Sequence, residues 1–180
     1  DCLLSRGLGD VYKRQGLEHK RADAVVCSTK CRVRAHRRSN VFPEEMRTRA
    51  RWVRRTAEKR PVTARGMPAA VTNPLTWCSF DEALRSSAGV GMGFVLGEGI
   101  GCYDLDHCFT DGVLDEWARE VVEAIPDPLF VEVSQSGEGL HVFVRTTALV
   151  GKVDRRPDGY SVEFYPNRRY IAVTGDVYKP

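Results

Sequence analysis

The chain has no apolar run close to the roughly eighteen residues that a membrane-crossing helix requires, so no membrane partner is expected. Its opening lacks the succession of basic segment, apolar stretch and small-residue cleavage site, which argues against a secretory signal. For a protein that is not exported, the six cysteines at positions 2, 27, 31, 78, 102 and 108 do not read as a disulfide framework, because the cytosol keeps such thiols reduced. Cys78, Cys102 and Cys108 lie in or beside apolar segments and read as small core residues. There is no internal repeat, no low-complexity tract and no Gly-x-x-x-x-Gly-Lys-Ser/Thr loop. Net charge is also slight, +3 over 180 residues.

That small net charge hides an asymmetry. Asp1 to Gly66 carries 18 Lys and Arg against 7 Asp and Glu, whereas Met67 to Pro180 carries 9 against 17. A basic front and an acidic back suit a nucleic-acid surface beside a metal-binding centre, and suit equally well the solvated faces of a basic linker. Hydrophobic residues make up 42% of the chain and charged residues 28%, enough for one domain with its own core.

Three regions are expected. Residues 1–15 read as a translated cloning or sequencing scar and are set aside. Residues 16–40 hold Cys27 and Cys31, four apart and followed by a basic tail. Such a pair can face one Zn²⁺, but a structural site needs four ligands. Upstream stand only Cys2 and His19, with His36 a stand-in downstream, so Cys27 and Cys31 are expected to lie close together without completing the site. Residues 41–180 form the folded module.

Within that module, Phe42 to Glu45 opens a short helical turn and Arg51 to Arg54 alternates like a strand. Pro61 to Pro74 reads as loop. Ser79-Phe-Asp-Glu82 is a capping box, predicting a helix over 80–87. Val90 to Leu96 and Ile100 to Leu105 predict two strands joined by Gly97-Glu98-Gly99 as a hairpin. A helix is predicted over 112–124, with Val113, Leu114, Trp117, Val121 and Ile125 on its apolar side. Strands are predicted over 129–133, 140–145, 160–165 and 169–174. Antiparallel strands with helices set against one face make this an α+β fold.

Three features carry chemistry. Asp104 and Asp106 end a strand, and residues i and i+2 share a face, so both carboxylates emerge together. Paired carboxylates repel unless a cation lies between them, and Mg²⁺ suits such a pair; turns and caps use the same residues. Ser136-Gly137-Glu138-Gly139 is a turn whose glycines let backbone approach a phosphate. His141 follows it, on the strand face opposite Leu140 and Val142, as a phosphate contact or as a structural histidine. Glu163, between Val162 and Phe164, points away from both, either into a site or to solvent.

These residues look like the three motifs of the archaeo-eukaryotic primase superfamily: Asp104-Leu-Asp106, Ser136-Gly-Glu-Gly-Leu-His141 and Val162-Glu163-Phe164. Arg51-Trp-Val-Arg54, Lys59-Arg-Pro61, Asn73-Pro-Leu-Thr-Trp77, Gly91-Met-Gly-Phe-Val-Leu96 and Arg169-Tyr-Ile-Ala-Val-Thr-Gly175 extend the likeness to the primase-polymerase modules of phages, prophages and mobile elements. The resemblance implies an RNA-recognition-like antiparallel sheet with helices on one face, preceded by a small α/β lead and a partial zinc knuckle. It implies a template-dependent nucleotidyltransferase, a DNA primase and polymerase, with Mg²⁺ or Mn²⁺ held by Asp104, Asp106 and Glu163. His141, with Ser136, Gly137 and Gly139, would hold the incoming nucleotide's phosphates, with Lys59 and Arg60 as weaker candidates. Implied partners are a DNA template and primer, nucleoside triphosphates and a replicative helicase. The implied location is the cytoplasm of a bacterium or of a phage-infected host. Because the chain stops just after Thr174-Gly175, a catalytic module truncated at its C-terminus is expected.

Two other readings fit the same residues. Three carboxylates and a histidine also serve a metal-dependent nuclease or phosphoesterase. A non-catalytic DNA-binding fragment, basic in front, is the third.

Overall fold

The computed structural model describes residues 41–155 and 159–179. The chain divides into two units, Asp1–Phe42 and Pro43–Pro180. Almost all of the first, with Cys27, Cys31 and the basic tail, lies outside the described residues.

The described residues of the second unit form an α+β fold in which every strand pairing is antiparallel. Three helices, α1 (Glu44–Arg47), α2 (Phe80–Arg85) and α3 (Glu116–Ala124), accompany the strands. The front sheet contains β1 (Trp52–Arg55), β2 (Pro61–Val62), β3 (Gly91–Val95) and β11 (Tyr170–Val173), in the order β11-β3-β1-β2. The larger sheet contains β4 (Ile100–Asp106), β7 (Phe130–Val133), β8 (Leu140–Arg145), β9 (Lys152–Arg155) and β10 (Ser161–Tyr165), in the order β7-β8-β4-β10-β9. A two-stranded ribbon, β5 (Phe109–Thr110) with β6 (Val113–Leu114), precedes α3.

Aromatic packing closes the front sheet. Trp52 meets Phe80 of α2 at 4.8 Å and Phe94 at 5.2 Å between ring centroids, and its indole donates to the Met46 carbonyl. Phe94 in turn meets Phe143 of β8 at 6.3 Å, which ties the two sheets together. Each of these rings is fully or almost fully buried, a burial that stabilises by about 1.5–3 kcal/mol for a large apolar side chain. Helix α2 starts where the capping box predicts: Ser79 accepts from the Glu82 amide while Glu82 accepts from the Ser79 amide.

Strand parity divides the larger sheet cleanly. Leu105, Leu140, Val142 and Val144 form one face with Val131, Val162 and Phe164, and this face packs against Ala118, Trp117 and Val121 of α3. The other face begins with a cross-strand row of Phe130, Phe143, Cys102 and Tyr165, which the Phe94–Phe143 contact joins to the front sheet.

The structure corrects three sequence expectations. The strands before and after Gly97-Glu98-Gly99 do not form a hairpin. β3 pairs with β1 and β11, β4 pairs with β8 and β10, and only a bridge between Gly97 and Ile100 remains. All three turn residues have positive φ, and they carry the chain from one sheet to the other. Helix α3 begins after Asp115, not at Gly112. Asp111 and Gly112, at φ 51° and 77°, make a tight turn between β5 and β6, the chemistry that hairpin loops favour; Val113, assigned to the apolar side of that helix, is 63% exposed. Third, Pro61 and Val62, read as the start of a loop, form β2 and pair with Arg55 and Arg54 of β1.

Candidate active site

One row across the larger sheet concentrates its ionisable residues. Glu132 on β7 is opposite His141 on β8, His141 is opposite Asp104 on β4, and Asp104 is opposite Glu163 on β10. Strand parity alone puts the four side chains on the face away from α3. Asp106, two residues on, is opposite Ser161, whose hydroxyl donates to Oδ2 of Asp106 at 3.3 Å. The change from the aromatic row to this acidic row happens over a single strand repeat.

Environment separates the carboxylates. Burial pushes the Asp104 carboxyl above its ordinary value; His141 and Arg169 work against this, while Asp106 and Glu163 add to it. Glu163 is held below the usual carboxylate range, first by the Tyr165 hydroxyl that donates to Oε2 and then by Arg155, whose Nη2 is 3.2 Å from Oε1. Burial, with Glu163 next in weight, pushes Tyr165 up to about 12. The acidic row is therefore compensated at Glu163 and short of positive charge at Asp104.

His141 is 7% exposed and held at Nδ1. Nδ1 is 3.0 Å from Oε1 of Glu132, and Nε2 is 3.7 Å from Oδ1 of Asp104. The preceding turn is ordered by Ser134 and Ser136. Their hydroxyls are 3.0 Å apart, the Glu138 amide donates to the Ser136 hydroxyl, and the Gly137 amide donates to the Ser134 carbonyl. Gly137 has φ 82°. Gly139 is needed for close approach, since a Cβ there would come within 2.6 Å of the Leu105 carbonyl, between the two aspartates.

A cavity of about 380 Å³ opens beside this row. It is lined by Asp104, Gln135 and His141, by the cations Lys59, Arg168 and Arg169, and by Tyr170 to Ala172 of β11. Arg169 lies 4.1 Å above the Tyr165 ring. The Tyr170 hydroxyl donates to the Lys59 carbonyl, which ties the loop after β1 to the cavity wall.

The structure thus brings Asp104, Asp106, Glu163 and His141 to one face, and brings Lys59 to the cavity beside them. Arg60, Ser136, Gly137 and Gly139 are not among the cavity's lining residues. Sequence reasoning missed Glu132, Gln135, Arg168 and Arg169. Glu132 had a signal: within Phe130-Val131-Glu132-Val133 it occupies the buried parity of its strand. The arginines follow Asn167 in a turn, where basic residues ordinarily face solvent.

Among the described residues no three His, Cys, Asp or Glu side chains are gathered as a ready-made metal cluster. The donor set still suits a hard divalent ion. Mg²⁺ is usually bound through one or two carboxylates plus substrate phosphates and water, not by an all-protein cage. The half-buried Asp104, where burial and neighbouring carboxylates make charge costly, is such a carboxylate.

An antiparallel α+β protein with an acidic row, a glycine turn and a basic-walled cavity is the class that the fold and site define. No family model matches the chain. Over 123 residues it is 36% identical to a DNA primase-polymerase of Nitratiruptor phage NrS-1, an alignment covering 63% of this chain. The identity marks a relationship to a primase-polymerase, of whose length the chain spans 17%.

Proposed function

We propose that the chain is part of a template-dependent nucleotidyltransferase, a DNA primase and polymerase of the archaeo-eukaryotic primase superfamily. The observation that carries this reading is the register in which Asp104 faces both Glu163 and His141, beside a cavity walled by Lys59, Arg168 and Arg169. The similarity to the phage primase-polymerase supports it. The strand order also does: α3 leads from β4 to β7, and β8 returns between them, as in an RNA-recognition-like sheet. A partial zinc knuckle at Cys27 and Cys31, a replicative helicase as partner and a cytoplasmic location belong to the same reading.

The residues divide the work by charge. Asp104, Asp106 and Glu163 would hold Mg²⁺ or Mn²⁺, which supplies charge stabilisation for the attacking and leaving oxygens of an in-line displacement. Lys59, Arg168 and Arg169 neutralise the phosphates of an incoming nucleoside triphosphate. His141 reaches the same phosphates through Nε2, and the Ser136–Gly139 turn closes behind it with its backbone amides. The carboxylate side orients the primer hydroxyl, so the two reactants meet in a fixed geometry.

The test is incorporation of labelled deoxynucleotides on a primed single-stranded DNA template with Mg²⁺ or Mn²⁺. Extension that follows the template and disappears in Asp104→Asn supports the proposal. Metal-dependent release of nucleotides from labelled DNA without incorporation points to a nuclease. A gel shift without either reaction points to a DNA-binding fragment.

A further inference from the structure

The two edges of the larger sheet differ. At one edge, β7 is covered by the segment after β11: the Val133 amide donates to the Asp176 carbonyl, the Tyr178 amide donates to the Val131 carbonyl, and Glu132 bridges to Val177. At the other edge, β9 pairs only with β10, and all four of its residues are exposed. On this open side the acidic row ends in Val153, directly opposite Glu163 and 50% exposed.

The loop leading into β9 holds Leu149 and Val150 out in solvent, 83% and 82% exposed. Among the described residues no other two exposed large apolar side chains are consecutive. The loop is pinned on both sides. The Thr146 amide donates to the Gly99 carbonyl at 2.9 Å, the Asn167 side-chain amide donates to the Leu149 carbonyl at 3.0 Å, and a Cβ at Gly151 would come within 2.5 Å of the Phe164 carbonyl. A groove of about 510 Å³ runs along it, lined by Leu149, Val150, Gly151, Asn167 and Arg168. That volume suits a molecule of nucleotide size.

Arg168 lines both this groove and the cavity beside Asp104, so an occupant of the groove shares a cation with an occupant of the cavity. Strand parity puts Arg155 on the same face as Val153, and puts Lys152 and Asp154, of opposite charge, on the other. The charge facing the groove side of the row is therefore positive, which fits a polyanion. A reaction that adds a nucleotide to a chain also needs a way out for the polymer, and β9 is the uncovered edge.

We propose that this groove seats the primer–template DNA, with Arg168 on a backbone phosphate and Leu149 and Val150 against a base of the bound strand. Proteins commonly set apolar side chains against bases or between base steps in this way. The inference rests on the nucleotidyltransferase reading above and adds to it the surface over which the polymer passes.

The test is fluorescence anisotropy of labelled primed DNA without nucleotide, on the unaltered chain, on the double variant Leu149→Ser with Val150→Ser, and on Arg168→Ala. Both serines replace exposed residues, so an unchanged melting temperature is expected. The double variant is expected to bind DNA roughly ten-fold more weakly, from lost apolar contact. Its dependence on salt should match that of the unaltered chain, and so should its affinity for a fluorescent deoxynucleoside triphosphate analogue. Arg168→Ala is expected to weaken both ligands and to lower the salt slope for DNA by about one, the mark of a lost phosphate contact.

Unchanged DNA affinity in the double variant overturns the proposal and leaves the nucleotidyltransferase reading standing. If the double variant instead loses self-association in sedimentation while keeping its DNA affinity, the groove belongs to a second copy of the chain and the proposal is equally overturned. Failure of the unaltered chain to bind primed DNA overturns both the proposal and the reading beneath it.

Discussion

Glu163 and Asp104 are directly opposed residues of the β10–β4 ladder, and their surroundings push their carboxyls in opposite directions. Tyr165 and Arg155 keep Glu163 charged, whereas burial and its acidic neighbours make charge costly at Asp104. A partly buried charge that is only partly compensated contributes poorly to stability. Asp104→Asn is therefore expected to leave the metal-free chain as stable as before, or more so, in thermal unfolding. The same change is expected to lower metal-dependent incorporation by more than about a hundred-fold, the equivalent of roughly 3 kcal/mol of transition-state stabilisation.

His141→Ala is expected to cost both stability and nucleotide affinity. Read from the sequence alone, a strand residue facing outward would cost under about 0.5 kcal/mol when truncated. The structure changes that expectation, because the loss leaves Oε1 of the buried Glu132 without its partner. Denaturant unfolding should show a loss of about 1–3 kcal/mol, and nucleotide binding a loss of about ten- to a hundred-fold.

The glycines of the turn before β8 separate strain from contact. Gly137→Ala meets no neighbouring atom but must hold φ at 82°, so a loss of roughly 1 kcal/mol with nucleotide binding retained is expected. Gly139→Ala drives a Cβ against the Leu105 carbonyl. Overpacking of this kind costs about 1–3 kcal/mol, and here it displaces the residue between Asp104 and Asp106. Incorporation should fall further for Gly139→Ala than for Gly137→Ala, as measured on both variants under one metal concentration.

Cys78 gives an alkaline signature independent of the site. Burial is the main cause that pushes its thiol from 9.0 up to about 11, with Glu82 adding and Arg54 opposing. The unfolded chain gives up that proton near its ordinary value, so between these two values the unfolded state binds fewer protons and stability falls as pH rises. Cys78→Ala is expected to make the decline between pH 9.0 and about 11 shallower in denaturant titrations.

Local chemistry made much of this fold legible. The capping box at Ser79 and the alternation of β7, β8 and β10 depend on neighbours a few residues away, and both survive in the structure. The same parity argument that set Asp104 and Asp106 on one face applies to Glu163 and His141. What failed was information held by distant pairing. Gly97-Glu98-Gly99 reads locally as a hairpin, and only the partners of β3 and β4 show that it crosses between sheets. Glu132 looked like one more alternating residue because the donors to its carboxylate, Thr174 and Gly175, are forty-odd positions away. Arg168 and Arg169 become cavity residues only through the return of β11.

Binding of Mn²⁺ in the presence of a nucleoside triphosphate, followed by electron paramagnetic resonance, tests the central claim most directly. The account predicts that the chain takes up Mn²⁺ with the triphosphate and that Asp104→Asn, Asp106→Asn and Glu163→Gln each abolish the uptake while the fold persists. Uptake that is unchanged in all three variants would contradict it.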